Sequence, residues 1–75
     1  MTRLASISAK KLIKILVRLG FIEIRRKSSH RFFLNPTTKL TAVVPDHGAE
    51  DVGVGLLRSI LRGIEVDVEE FEELR

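Results

Sequence analysis

The sequence predicts a two-layer α+β domain of α-β-β-β-α order: a three-stranded antiparallel sheet, helices on one face, and a short C-terminal helix. Three observations predict it. Residues 8–19 carry apolar side chains at helical spacing, three short strand-like runs separated by turn residues follow, and helical spacing resumes after residue 56. The joins between the strands are too short for crossovers, so the strands form a meander, and the helices must bury one of its faces. Residues 1–75 read as a single domain. At this length a chain buries only about 60 % of the surface it exposes when unfolded, which makes a partner useful.

The first helix is "SAKKLIKILVRL", with Leu12, Ile15, Leu16 and Leu19 on one face. Ser8 is its expected N-cap and Gly20 its expected stop, since glycine takes the left-handed conformation at no steric cost. Lys10, Lys14 and Arg18, spaced by four, form a positive stripe on the opposite side. The first strand is "FIEIRR" (21–26) and the second "HRFFLN" (30–35), joined by the turn Lys27-Ser28-Ser29. Asn35-Pro36-Thr37-Thr38 makes the next turn, and "LTAVV" (40–44) is the third strand, stopped by Pro45. Residues 46–55 are polar and glycine-rich and read as loop or irregular helix entry. The second helix spans 56–63 through Leu57, Ile60 and Leu61, ending at Gly63. The last, "DVEEFEEL" (67–74), opens on a capping-box-like Asp67/Glu70 pair and carries a narrow stripe of Val68, Phe71 and Leu74.

Composition excludes several classes. Cysteine is absent, so there is no disulfide framework and no thiolate zinc site, in keeping with a reducing, cytoplasmic setting. Lys or Arg interrupts every apolar run before it reaches the roughly 18 residues of a membrane span. No secretory leader is expected, because no apolar core with a small-residue cleavage site follows the first basic residues. No cofactor and no metal are expected: the two histidines lack helical i, i+4 spacing, and no carboxylate cluster accompanies His30.

The net charge of +3 conceals an asymmetry. Residues 1–39 hold ten Lys or Arg against the single acid Glu23, whereas residues 40–75 hold three Arg against nine acids. A basic half of this kind is the electrostatic footprint of a nucleic-acid partner.

The stretch "RRKSSHRFF" (25–33) concentrates the chemistry. Histidine suits proton transfer because its ordinary pKa is about 6.5. Arg25, Lys27 and Arg31 lie beside His30 in sequence and could stabilise charge on a phosphate. Ser29 is expected to shape the turn and is a further candidate for phosphate contact. Strand alternation sets His30, Phe32 and Leu34 on one face, read here as the core-facing row, and Arg31 and Phe33 on the other. As first residue of its strand, His30 would then sit at a wet rim beside the first helix, lined by Lys10, Lys14 or Arg18. His47 follows Asp46 in the next loop. Adjacent residues of an extended chain point apart, so Asp46-His47 reads as loop-stabilising or RNA-contacting rather than catalytic.

"LIKILVRLGFIEIRRKSSHRFF", "VVPDHG", "GLLRSILRG" and "VEEFEEL" resemble, over nearly the whole chain, the HicA (YcfA-like) toxins of bacterial and archaeal toxin–antitoxin pairs. The resemblance implies a fold like that of double-stranded-RNA-binding domains. It also implies a small mRNA interferase, a metal-independent endonuclease that cleaves RNA with a histidine in a Gly-Ser-His turn, and a HicB-like antitoxin that covers that histidine. Carried over, the histidine is His30 and the serine Ser29. The glycine position is Ser28 here, and Leu56 stands where threonine is frequent. If the turn needs positive φ at the glycine position, Ser28 is strained.

Two other readings use the same residues. A non-catalytic RNA-binding module of double-stranded-RNA-binding type binds RNA in a salt-dependent way and cuts nothing. An interaction protein docks a partner through its acidic last helix and apolar surface and has no affinity for RNA.

Overall fold

The computed structural model describes residues 3–75. The elements are β1 (Ile7–Ser8), α1 (Ala9–Arg18), β2 (Ile22–Lys27), β3 (His30–Leu34), β4 (Thr41–Pro45), β5 (Asp51–Val52), α2 (Val54–Gly63) and α3 (Val68–Leu74). The expected order is present: β2-β3-β4 form an antiparallel meander, and helices cover one of its faces.

Local chemistry sets the helix ends. The Ser8 hydroxyl accepts a hydrogen bond from the Lys11 amide at 3.2 Å, satisfying one of the free donors of α1's first turn. At the other end Gly20 takes φ +99°, which lets the Phe21 amide donate to Leu16 O and the Gly20 amide to Val17 O. The buried Leu16 and Phe21 flank that closure. Helix α2 ends at Gly63, as expected, but the left-handed residue lies two positions on. Glu65 has φ +59°, and the Val66 amide donates to Leu61 O. The α3 cap is also as expected, with the Asp67 carboxylate accepting from the Glu70 amide at 2.7 Å.

Two features differ from what the sequence predicts. Helix α2 begins at Val54, two residues earlier than expected, with Gly53 as its N-cap. The loop of residues 46–55 contains β5, which pairs antiparallel with β1 (Ile7↔Val52, Ser8↔Asp51) in a separate two-stranded ribbon.

The core is formed by Leu12, Ile15 and Leu16 of α1, Leu57, Ile60 and Leu61 of α2, Phe71 of α3, and Phe33, Ala42 and Val44 from the sheet. Asn35 is the buried polar residue of this layer. Its side-chain amide donates to Leu19 O, and its carbonyl oxygen accepts from the Thr37 and Thr38 amides, so one residue builds the β3–β4 turn and ties it to α1.

The sheet corrects the expected facing of β3. Phe33, not Phe32, points into the core, with 1 % of its surface exposed. The register pairs Phe33 with Glu23 and Ala42, and Arg31 with Arg26 and Val44, on the inner row. His30, Phe32 and Leu34 are the outer row, opposite Lys27, Arg25 and Ile22 on β2 and Pro45, Val43 and Thr41 on β4. A bulge between Glu23 and Arg25 shifts the β2 pairing by one residue. Helices cover the inner row, leaving the outer row open.

Candidate functional site

The β2–β3 connection is a two-residue loop, because Lys27 and His30 pair across it. Its first residue, Ser28, has φ +58° and its second does not share that sign, the pattern of the II′ hairpin loop in which glycine is preferred. The strain expected for a serine here is therefore present. The loop places His30 at the first position of β3, exposed, on the outer row.

The loop after β4 closes on this hairpin. The Asp46 amide donates to Ser29 O at 2.6 Å, and the Asp46 carboxylate accepts from the Gly48 amide at 3.3 Å. This fold-back carries His47 next to His30. The two rings lie edge to face, with centroids 6.5 Å apart and planes at 81°. Both side chains are exposed. Because Asp46 and His47 diverge along the chain, the sequence alone points to a loop-stabilising or RNA-contacting role for His47 rather than a catalytic one. The neighbour that matters is instead a residue 17 positions away in sequence, brought close by pairing of β3 with β4.

Arg31 braces the arrangement from the inner side. Its guanidinium donates through Nε and Nη2 to the two oxygens of Glu23 (2.8 and 2.7 Å), and through Nη1 to Asp46 at 3.1 Å. It also lies over the edge of the core near the Phe33 ring, 6.0 Å from its centroid. One side chain thus links β2, β3 and the His47 loop. The Arg31 hydrogen bond is the main reason the Glu23 and Asp46 carboxyls are held below their usual range, and Glu23 first, then Asp46, raise the already high pKa of Arg31. The sequence grouped Arg31 with the phosphate contacts; here its guanidinium is bonded to carboxylates.

The other expected contacts divide between two layers. Lys27 is the cross-strand neighbour of His30 on the open row and is exposed. Arg25 is stacked over Phe32, 4.4 Å from the ring centroid, so this aromatic is part of the outer face. Ser29 is half-buried at the turn and supplies the carbonyl that holds Asp46.

Lys10, Lys14 and Arg18 belong to α1 in the helical layer. Lys14 and Arg18, with Ile7, Lys11, Ile15, Leu74 and Arg75, line a shallow cavity of about 270 Å³ where α1 meets the end of α3. Arg18 donates to Leu74 O at 3.1 Å, a cation at the negative end of α3. Arg75 donates to Ala5 O and Ser6 O nearby. Neither His30 nor His47 lines this cavity or its neighbour of about 320 Å³. Cavity volume does not select the histidine pair, whose two rings are open to solvent. Lys14 and Arg18 thus do not border His30 in the way the sequence suggested.

Among the described residues no helix is long and apolar enough to cross a membrane. The family model for the HicA toxin of bacterial toxin–antitoxin systems matches residues 9–66, well over half of the chain. No curated protein matches the sequence closely.

Proposed function

The chain belongs to the HicA toxin family of toxin–antitoxin systems, and we propose that it is a ribonuclease that cleaves mRNA at His30. The observation that carries this reading is the placement of His30: exposed, at a strand start, on the uncovered face of the sheet, with the Lys27 cation as its cross-strand neighbour. Cleavage next to a ribose 2′-hydroxyl requires a group that moves a proton and a cation near the phosphate. An imidazole meets the first need near neutral pH, and a lysine ammonium the second.

In this reading Lys27, Arg25 and Ser29 hold RNA at the hairpin, and Arg31 keeps the hairpin and the loop after β4 in register. Lys10, Lys14 and Arg18 form a second cationic strip on the helical layer, reached by a longer RNA. No step requires a metal ion, so chelators leave the rate unchanged. An antitoxin partner follows from the family; a HicB-like protein seated over the hairpin would cover His30. The apolar Phe32 and Val43 on the same open face support such docking.

Incubation of RNA with purified protein in EDTA tests the reading. The wild type cuts and His30→Ala, folded by circular dichroism, does not. RNA binding without cleavage by either form would instead establish a binding module.

A further inference from the structure

We infer that His47 is a second catalytic residue, which divides with His30 the two proton transfers of RNA cleavage. The inference rests on the ribonuclease reading above. Three observations carry it: the rings are 6.5 Å apart and edge to face, both are exposed on one surface, and the loop bearing His47 is fastened to the hairpin at two points. Those fastenings are the Asp46–Ser29 backbone hydrogen bond and the Asp46–Arg31 ion pair.

The chemistry needs two groups. The 2′-oxygen attacks the adjacent phosphorus, and its proton passes to a neutral imidazole. The bond from phosphorus to the 5′-oxygen breaks, and that oxygen takes a proton from an imidazolium. The products are a 2′,3′-cyclic phosphate and a 5′-hydroxyl; no water is consumed, and the two histidines exchange protonation states before solvent resets them. One imidazole cannot be neutral and protonated at once. With only His30 present, the second transfer falls to water. Ring centroids 6.5 Å apart bring both imidazoles within reach of one phosphodiester, so that one can meet the 2′-oxygen and the other the 5′-oxygen.

The charged groups around the pair are Lys27 on the outer row of β2, Arg31 and Asp46 at the brace, and Arg26, which acts electrostatically on Asp46. Asp46 is bonded to Arg31 and to the Gly48 amide, so it is a positioning residue for His47.

The test measures pH–rate profiles of RNA cleavage for the wild type, His47→Ala, His47→Gln and His30→Ala. A second substrate, an aryl ester of a ribonucleoside 3′-phosphate, has a leaving group that needs no protonation. The wild type gives a bell-shaped profile on RNA. Both His47 variants lose roughly 10²- to 10⁴-fold in kcat and one limb of the bell. The aryl ester restores the rate of one histidine variant, the one lacking the acid, and not the other.

A His47→Ala enzyme with an intact bell and less than a tenfold loss overturns the inference. So does restoration by His47→Gln, which keeps hydrogen bonding but moves no proton. Either result leaves the ribonuclease reading standing if His30→Ala is dead. Full cleavage by His30→Ala fells that reading itself.

Discussion

Asp46 and Ser29 are joined by a backbone hydrogen bond of 2.6 Å, and through it the end of β4 is held against the β2–β3 hairpin. The approach of His47 to His30 depends on that closure and on the Arg31 brace beside it.

The brace makes stability depend on acid. Glu23 and Asp46 have carboxyl pKa values lowered from 4.5 and 3.8, chiefly by the Arg31 hydrogen bonds. Below those ordinary values the unfolded chain takes up protons that the folded chain refuses, so the contribution is full above pH 4.5 and is lost as pH falls through the lowered values. Urea midpoints of the wild type should therefore fall on acidification below about pH 4.5, and Arg31→Gln should flatten that fall. The same variant should lose ten- to a hundredfold in cleavage, because a misplacement of about 1 Å can cost about a hundredfold.

Ser28 occupies a conformation that favours glycine. Ser28→Gly removes the clash of Cβ with the backbone and should raise unfolding free energy by about 1 kcal/mol, the strain relieved less the entropy glycine adds to the unfolded chain. Urea unfolding measures it, and cleavage should be retained.

The two adjacent phenylalanines should behave differently. Phe33→Ala opens a cavity beneath the sheet and should cost about 3–5 kcal/mol, enough to leave a domain this small largely unfolded. Phe32→Ala loses mainly the Arg25 stack, about 0.5–1 kcal/mol, and should remain folded in urea titrations.

Salt dependence should separate the two cationic strips. For a short single-stranded RNA bound at the hairpin, Lys27→Gln should reduce the slope of log K against log salt by about 0.7, the value for one lost phosphate contact. Lys14→Gln should leave that slope unchanged for the short RNA and reduce it for a long one that reaches the helical layer. Fluorescence anisotropy over a salt series gives both slopes.

Much of the architecture was legible in the chain because its signals are local. The α1 stripe, the Ser8 and Asp67 caps, the Gly20 stop and the two short turns between strands all concern residues within a few positions of one another. The β1–β5 ribbon was not legible, since two-residue strands carry no period and exist only through the distant pairs Ile7↔Val52 and Ser8↔Asp51, beside which Ser6 meets Asp51.

The α-β-β-β-α order and the basic hairpin are written in the chain, whereas the demand on Ser28 followed from the family resemblance and its positive φ from the fold. Tertiary structure alone decided which face of β3 is open, because "FF" satisfies either alternation, and only Phe33 packing on the helical layer, with the bulge in β2, resolves it. It alone also decided that His47 meets His30. No periodicity encodes that contact; it arises when β4 pairs with β3 and Asp46 closes on Ser29.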